Sequence, residues 1–245
     1  MDLNQVLCTE IRGNLDLVQE KIARAAQSSG RDAKDVKLVT VSKKKSVEVI
    51  RAAIAAGITM FGENYPEETV EKMGVLNAEF PDLQWHMIGH LQSRKTKLVA
   101  QHFDMMHSLD SVKLANKLGR AMEAQKRKLP VLLEMNVSGE ATKGGWAAWE
   151  ESEWEQLLPV VKEILSVEFL NVKGLMAMPP LSVNAEVTRP YFRKLRKLRD
   201  WLAKQFPDED WRELSMGTSL DYEVAVEEGA TFVRIGTAIL GKRAY

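Results

Sequence analysis

What the chain has little of narrows its class. Its 245 residues include one cysteine, Cys8, which excludes an intramolecular disulfide and a thiolate zinc cluster. Neither sign of charge is in excess: Lys and Arg total 34, Asp and Glu total 34, and the formal net charge is zero. So balanced a chain offers no basic surface that would mark it for nucleic acid or an anionic membrane. No apolar run approaches the length of a membrane span. The opening Met1-Asp2-Leu3-Asn4-Gln5 has no basic stretch leading into an apolar core, so no signal peptide is expected and a cytoplasmic location is. Of four histidines, His86 and His90 have the spacing of a helical metal pair. Their segment, Gln84-Trp85-His86-Met87-Ile88-Gly89-His90, instead reads as a strand entering a glycine turn, and no zinc-protease glutamate accompanies it. No metal site is expected. Cys8 falls in an apolar stripe with Val6, Ile11, Leu15 and Val18, where a small packing residue is the natural reading.

What is present is an alternation. After a helical opening segment, eight short apolar runs occur at 36–42, 59–64, 84–89, 103–108, 130–137, 172–178, 213–217 and 231–236. Amphipathic stretches lie between them, such as 47–56, 112–122 and 191–206; Ser46 and Ser111 are expected to cap the first two. Eight strand–helix repeats predict a single (β/α)8 barrel with an extra N-terminal helix, one domain over residues 1–245. An open doubly wound sheet is the runner-up, but its glycine-rich first turn is missing: the turn here is Ser42-Lys43-Lys44-Lys45-Ser46. Residues 139–155 and 179–189 read as surface loops, and Trp146, Trp149 and Trp154 near the first are expected to pack locally.

Strand parity predicts which side chains enter the barrel. Val39, Val41 and Lys43 share one face, so Lys44 must leave it. The same count pairs Asn64 with Met60, Asn136 with Glu134, Ser215 with Glu213, and Arg234 with Phe232. Polar residues therefore gather at strand ends, where barrel enzymes keep their sites. Taken alone, Lys43-Lys44-Lys45 reads as a solvated basic turn. An inward lysine at a strand end can instead lose water and attack a carbonyl carbon, the chemistry of a Schiff base. At the other side of the mouth, Ser215-Met216-Gly217-Thr218-Ser219 follows the seventh strand and Gly236-Thr237 the eighth. Glycines admit an anion close to the backbone, hydroxyls add donors, and these two loops of a barrel often bind phosphate. A Schiff-base lysine facing a phosphate cradle describes pyridoxal 5'-phosphate.

An ordered set of motifs supports that expectation. Val41-Ser42-Lys43, Phe61-Gly62-Glu63-Asn64-Tyr65 and His86-Met87-Ile88-Gly89-His90-Leu91-Gln92 come first. Asn136-Val137-Ser138-Gly139-Glu140, Lys143-Gly144 and Gly174-Leu175-Met176 follow, then the run 214–221 and Val233-Arg234-Ile235-Gly236. Together they make the whole chain resemble the pyridoxal phosphate homeostasis protein family, whose members look like the barrel domain of alanine racemase standing alone. The resemblance implies that Lys43 holds the cofactor as an internal aldimine and that Asn64 lies beside its ring. It places Ser215, Gly217, Ser219, Gly236 and Thr237 about the phosphate and sets Arg234 against the pyridine nitrogen. Three departures stand outside that set: Ser46 where proline is usual, Pro66-Glu67 after the Phe-Gly-Glu-Asn-Tyr run, and Arg94 where asparagine is common.

A protonated guanidinium facing the pyridine nitrogen keeps that nitrogen unprotonated and weakens the ring as an electron sink. Racemisation would survive this but needs an acid–base group on each face of the substrate. Lys43 can serve one face. Two-domain racemases supply the other from a C-terminal β domain, and this sequence ends at Tyr245, soon after the eighth strand. The implied function is thus a monomeric carrier in vitamin B6 homeostasis, without robust catalysis, with pyridoxal phosphate as ligand and cofactor-dependent apoenzymes as candidate partners. The alternatives are a pyridoxal phosphate-dependent amino-acid racemase and a class I aldolase. Aldolase lysines commonly sit later in the barrel, and Arg234 would have no use there.

Overall fold

A computed structural model of the chain describes residues 3–242; Met1, Asp2 and Tyr245 of the sequence argument lie outside them. Eight parallel strands close into a barrel: β1 (Lys37–Val41), β2 (Met60–Glu63), β3 (Gln84–Met87), β4 (Met105–Leu109), β5 (Leu129–Asn136), β6 (Leu170–Met176), β7 (Glu213–Ser215) and β8 (Phe232–Ile235). They pair in sequence order, with β1 on β8 and β4 on β5 completing the ring. The expected runs coincide with these strands, their ends displaced by no more than two residues.

Helices α1 (Leu3–Ser28), α2 (Val47–Ala55), α3 (Pro66–Glu79), α4 (Thr96–His102), α5 (Val112–Glu123), α6 (Leu158–Leu165), α7 (Arg189–Gln205), α8 (Tyr222–Glu227) and α9 (Thr237–Leu240) surround the ring. Ser46 and Ser111 cap α2 and α5, accepting from the backbone N–H groups of Val49 and Leu114. The stripe on α1 is Ile11, Leu15, Val18, Ile22, Ala25 and Ala26, all buried against the outer core, while Val6 is exposed. That stripe packs on α2, α8 and α9 across the β1–β8 seam. Arg31 fastens the far end of α1, donating to Val226 O at 2.7 Å and Ala230 O at 2.9 Å.

Inside the ring Val39, Met105, Leu132, Met176 and Phe232 form a second apolar cluster with Met60 and Ile88. These are the inward residues that parity selects, since alternate side chains of each strand enter the barrel. Gly174 on β6 lies at φ +148°, and any Cβ there would sit 1.9 Å from Glu213 O, so only glycine lets β6 and β7 approach.

The two expected loops hold more order than sequence suggested. Trp146–Ala147 form a two-residue strand beside Met135 and Asn136, too short to carry an alternation signal. Short 3-10 turns follow at Glu151–Leu157 and Ala185–Thr188. Trp154 is buried, its ring centroid 5.8 Å from that of Trp201, and Trp149 covers Gly139.

Candidate cofactor site

The β1–α2 turn is held from behind by a buried ionic group. Ser42 donates its hydroxyl to Glu63 Oε1 at 2.8 Å, and Lys72 Nζ lies 3.3 Å from the same oxygen and 2.6 Å from Glu68 Oε1. Glu68 also accepts the backbone N–H of Lys44 at 3.0 Å. Burial pushes the Glu63 carboxyl above the ordinary carboxylate range, with Lys72 and the Ser42 hydroxyl pulling it back. Lys44 takes a left-handed φ of 59°, and the backbone N–H of Lys45 donates to Ser42 O at 3.0 Å, closing the turn.

The three consecutive lysines therefore part company. Lys44 is exposed. Lys45 reaches the last helix, its Nζ donating to the carbonyls of Leu240 at 2.7 Å and Lys242 at 2.8 Å. Sequence reasoning assigned nothing to Lys45, because its partners lie 195 residues and more away. Lys43 is half-buried and lines a cavity of about 330 Å³ at the barrel mouth.

Of the residues singled out from sequence, Lys43, Asn64, Ser219, Arg234, Gly236 and Thr237 all line this cavity. Asn64 follows β2, and among the described residues its buried Oδ1 has no partner. Gly236 opens the turn after β8; a Cβ there would come within 3.2 Å of Val41 Cβ, so that wall is kept small. Thr218, part of the expected phosphate loop though not singled out within it, lines the cavity too, braced by its backbone N–H on Asp221 Oδ1 at 2.7 Å. Ile88, Met178, Leu181 and Leu220 add an apolar wall.

Two selected residues lie elsewhere. Gly217 sits behind the wall at φ +92°, its carbonyl accepting the Arg234 N–H at 3.0 Å. Ser215 is fully buried inside the barrel, where Arg234 Nη1 donates to its hydroxyl. Neither lines the cavity, and both support Arg234 and the course of the backbone.

Arg234 enters from β8 and is 4% exposed. Besides Ser215 it donates to Ala177 O at 3.0 Å and Met178 Sδ at 2.9 Å. Burial pushes its guanidinium down to about 10, offset in part by Glu134 and Asp221, so it is cationic at neutral pH. Glu134, on the inner face of β5, is itself pushed upward by burial and by the charge of Asp110. Asn136 serves the loop beyond β5: its Oδ1 accepts from the backbone N–H groups of Ser138 and Gly139. Among the described residues no His, Cys, Asp and Glu cluster could hold a metal ion, and no helix is long and apolar enough to cross a membrane.

An amine and a guanidinium thus face one cavity with three hydroxyls, an unpartnered amide oxygen, a glycine wall and apolar side chains. Such a surface can take up a small flat molecule with an electrophilic carbon and an anionic tail.

Comparison with known proteins agrees. The alanine racemase N-terminal domain family matches residues 13–244. The pyridoxal phosphate homeostasis protein of Haemophilus influenzae is 41% identical over 235 residues, covering 96% of this chain and 97% of that protein. Its Escherichia coli K12 counterpart is 38% identical over 244 residues, covering 96% and 98%. The structure of PipY from Synechococcus elongatus with pyridoxal phosphate bound superposes with a TM-score of 0.76 at 34% identity, covering 90% of this chain and all of that one. Alanine racemase of Clostridium difficile shares the fold at a TM-score of 0.68 and 16% identity, with 94% of this chain matching 56% of the enzyme.

Proposed function

The chain belongs to the pyridoxal phosphate homeostasis proteins, within the alanine racemase N-terminal domain family, and from that premise we propose that it reversibly holds pyridoxal 5'-phosphate at Lys43. The observation that carries this reading is the placement of Lys43 in one cavity with Asn64, Ser219, Arg234, Gly236 and Thr237. The residues fit the group. Lys43 supplies the amine, and Thr218, Ser219 and Thr237 supply hydroxyl donors beside the small wall at Gly236. The unpartnered Asn64 Oδ1 leaves an amide available to a ligand, since a buried polar atom without a partner is costly. When bound, the cofactor contributes an aldehyde carbon with which a lysine amine condenses reversibly, releasing water.

The protein's own part is binding, orientation and release. The group formed by Glu63, Lys72 and Glu68 fixes the turn that presents Lys43. Arg234 keeps a positive charge at the cavity wall, where it would disfavour proton uptake by a pyridine nitrogen set against it. Ile88, Met178 and Leu181 give one wall an apolar face. Among the described residues lining the cavity the ionisable ones are Lys43 and Arg234, which supports a reading in which racemisation lacks its second base. In this reading residues 1–245 work as one cytoplasmic unit that stores the cofactor and yields it to enzymes requiring it.

Comparing pyridoxal phosphate with pyridoxal by spectral titration tests the anionic end. Charge-assisted hydrogen bonds contribute about 1.5–3 kcal/mol each, so losing two or three should weaken binding by orders of magnitude. Equal affinity for the two aldehydes would refute the cradle after β7 and β8.

A further inference from the structure

Beneath Arg234 the barrel interior holds a polar column that the cavity does not touch. Ser215 Oγ lies 2.8 Å from His107 Nδ1, and His107 Nε2 lies 3.0 Å from His86 Nδ1. Ser215 and His107 are fully buried and His86 is 4% exposed. The two imidazoles lean on the edge of Phe232, with centroids 5.0 and 5.7 Å from its ring. Two neutral histidines and a serine buried beside the inner apolar cluster need a reason, because buried polar groups are costly unless fully satisfied.

We propose that Ser215, His107 and His86 form a one-way hydrogen-bonded column whose direction is set by Arg234, and that Ser215 and His107 are positioning residues for its guanidinium. Arg234 can only donate, so Ser215 Oγ accepts from it. Among the described residues the partners of the Ser215 hydroxyl are Arg234 and His107, so its hydrogen goes to His107 Nδ1. The proton of His107 then resides on Nε2 and is donated to His86 Nδ1, leaving His86 protonated on Nε2. The opposite arrangement, with His107 Nδ1 donating, would leave the Ser215 O–H without an acceptor in a fully buried place. Protonating either ring would oppose two donors across one of these bonds. Burial first, with nearby positive charges adding to it, holds both rings below the ordinary histidine range, His86 at about 4.

The column also explains how a buried guanidinium stays charged without a contacting carboxylate. The partners of Arg234 among the described residues are the Ser215 hydroxyl, the Ala177 carbonyl and the Met178 sulfur, all neutral. Aligned dipoles running away from the cation stabilise it without cancelling its charge. Arg234 is thereby held in one orientation with its full charge at the cavity wall. The column's bearing on cofactor rests on the reading given above; its proton arrangement does not.

The test is ¹⁵N NMR of the histidine side chains in the full-length protein at neutral pH, without added cofactor. Both His86 and His107 should be neutral Nε2–H tautomers with hydrogen-bonded Nδ1 acceptors, and Ser215→Ala should shift the His107 Nδ1 signal. An Nδ1–H tautomer or a cationic ring at His107 would overturn the column. A second arm reads pyridoxal phosphate affinity and absorption. His107→Phe should weaken binding about tenfold or more and move the absorption band, since one bond to a charged group is disturbed at a distance. His107→Asn, which offers an oxygen near the Nδ1 position, should recover most of both. If His107→Phe does not fold, Ser215→Ala carries the same expectation. Unchanged affinity and spectrum would remove the positioning role. Absence of cofactor binding in the wild type would reject the carrier reading while the tautomers still decide the column.

Discussion

Replacing Lys72 with methionine isolates the device that presents Lys43. The ammonium lies 3.3 Å from Glu63 and 2.6 Å from Glu68, and the Glu63 side chain is fully buried whereas that of Glu68 is 34% exposed. The cost therefore falls on Glu63, left among the described residues with the Ser42 hydroxyl as partner and with Oε2 unpartnered. Burial already raises this carboxyl, and removing the cation that opposes burial raises it further. The folded variant can escape an unpaired buried charge by taking up a proton. Keeping a carboxyl of ordinary pKa near 4.3 neutral at pH 7 costs about 3.7 kcal/mol, which caps the electrostatic penalty. Methionine fills much of the alkyl volume, so little packing is lost. The sign follows from proton binding: the folded variant binds a proton that the unfolded chain has released, so its stability falls as pH rises above about 4.3. Urea unfolding of both proteins at pH 5 and pH 7.5 measures this. A penalty of about 2–4 kcal/mol is expected at pH 7.5, shrinking to about 1 kcal/mol at pH 5. A penalty that is equal at both values, or larger at pH 5, would refute the burial account of Glu63.

Two further outcomes follow from the same geometry. His86 is pushed from its ordinary value near 6.5 to about 4, so the stability its neutral ring carries is present above pH 6.5 and lost as pH falls to 4, about 3 kcal/mol by that point. Wild-type stability should therefore drop more steeply than that of His86→Gln between pH 7 and pH 4; parallel profiles would show that the ring is not buried neutral. In deuterated water, cofactor-loaded protein should convert L-alanine to its D-isomer far more slowly than an ordinary racemase, because general acid–base help on the second face contributes ~100- to 10,000-fold. Slow exchange with retained configuration is compatible with Lys43 alone, whereas rapid racemisation lost with Lys43→Ala would mean a second base acts at the mouth.

The barrel was legible because its eight apolar runs alternate with amphipathic ones, and parity alone places Val39, Met60, Leu132 and Phe232 inside. Lys43 was legible for the same reason: two residues beyond Val41, it inherits the inward face. The His107–Ser215 contact was not, since it joins residues 108 apart across a closed ring, and no local pattern encodes which inward side chains meet. Ser215 was expected at the phosphate end because it opens the right loop. Yet at the C-terminal end of β7 its side chain still points into the barrel, and Thr218, three residues on, reaches the cavity instead. The fate of Lys45 was hidden likewise, its acceptors being supplied by the end of α9.

The central claim is that one lysine of three holds the cofactor, and reductive trapping tests it directly. Protein loaded with pyridoxal phosphate should be yellow, and borohydride followed by peptide mass mapping should place the pyridoxyl group on Lys43, with Lys43→Ala losing both colour and adduct. An adduct mainly on Lys44 or Lys45, or colour that survives Lys43→Ala, would contradict the account.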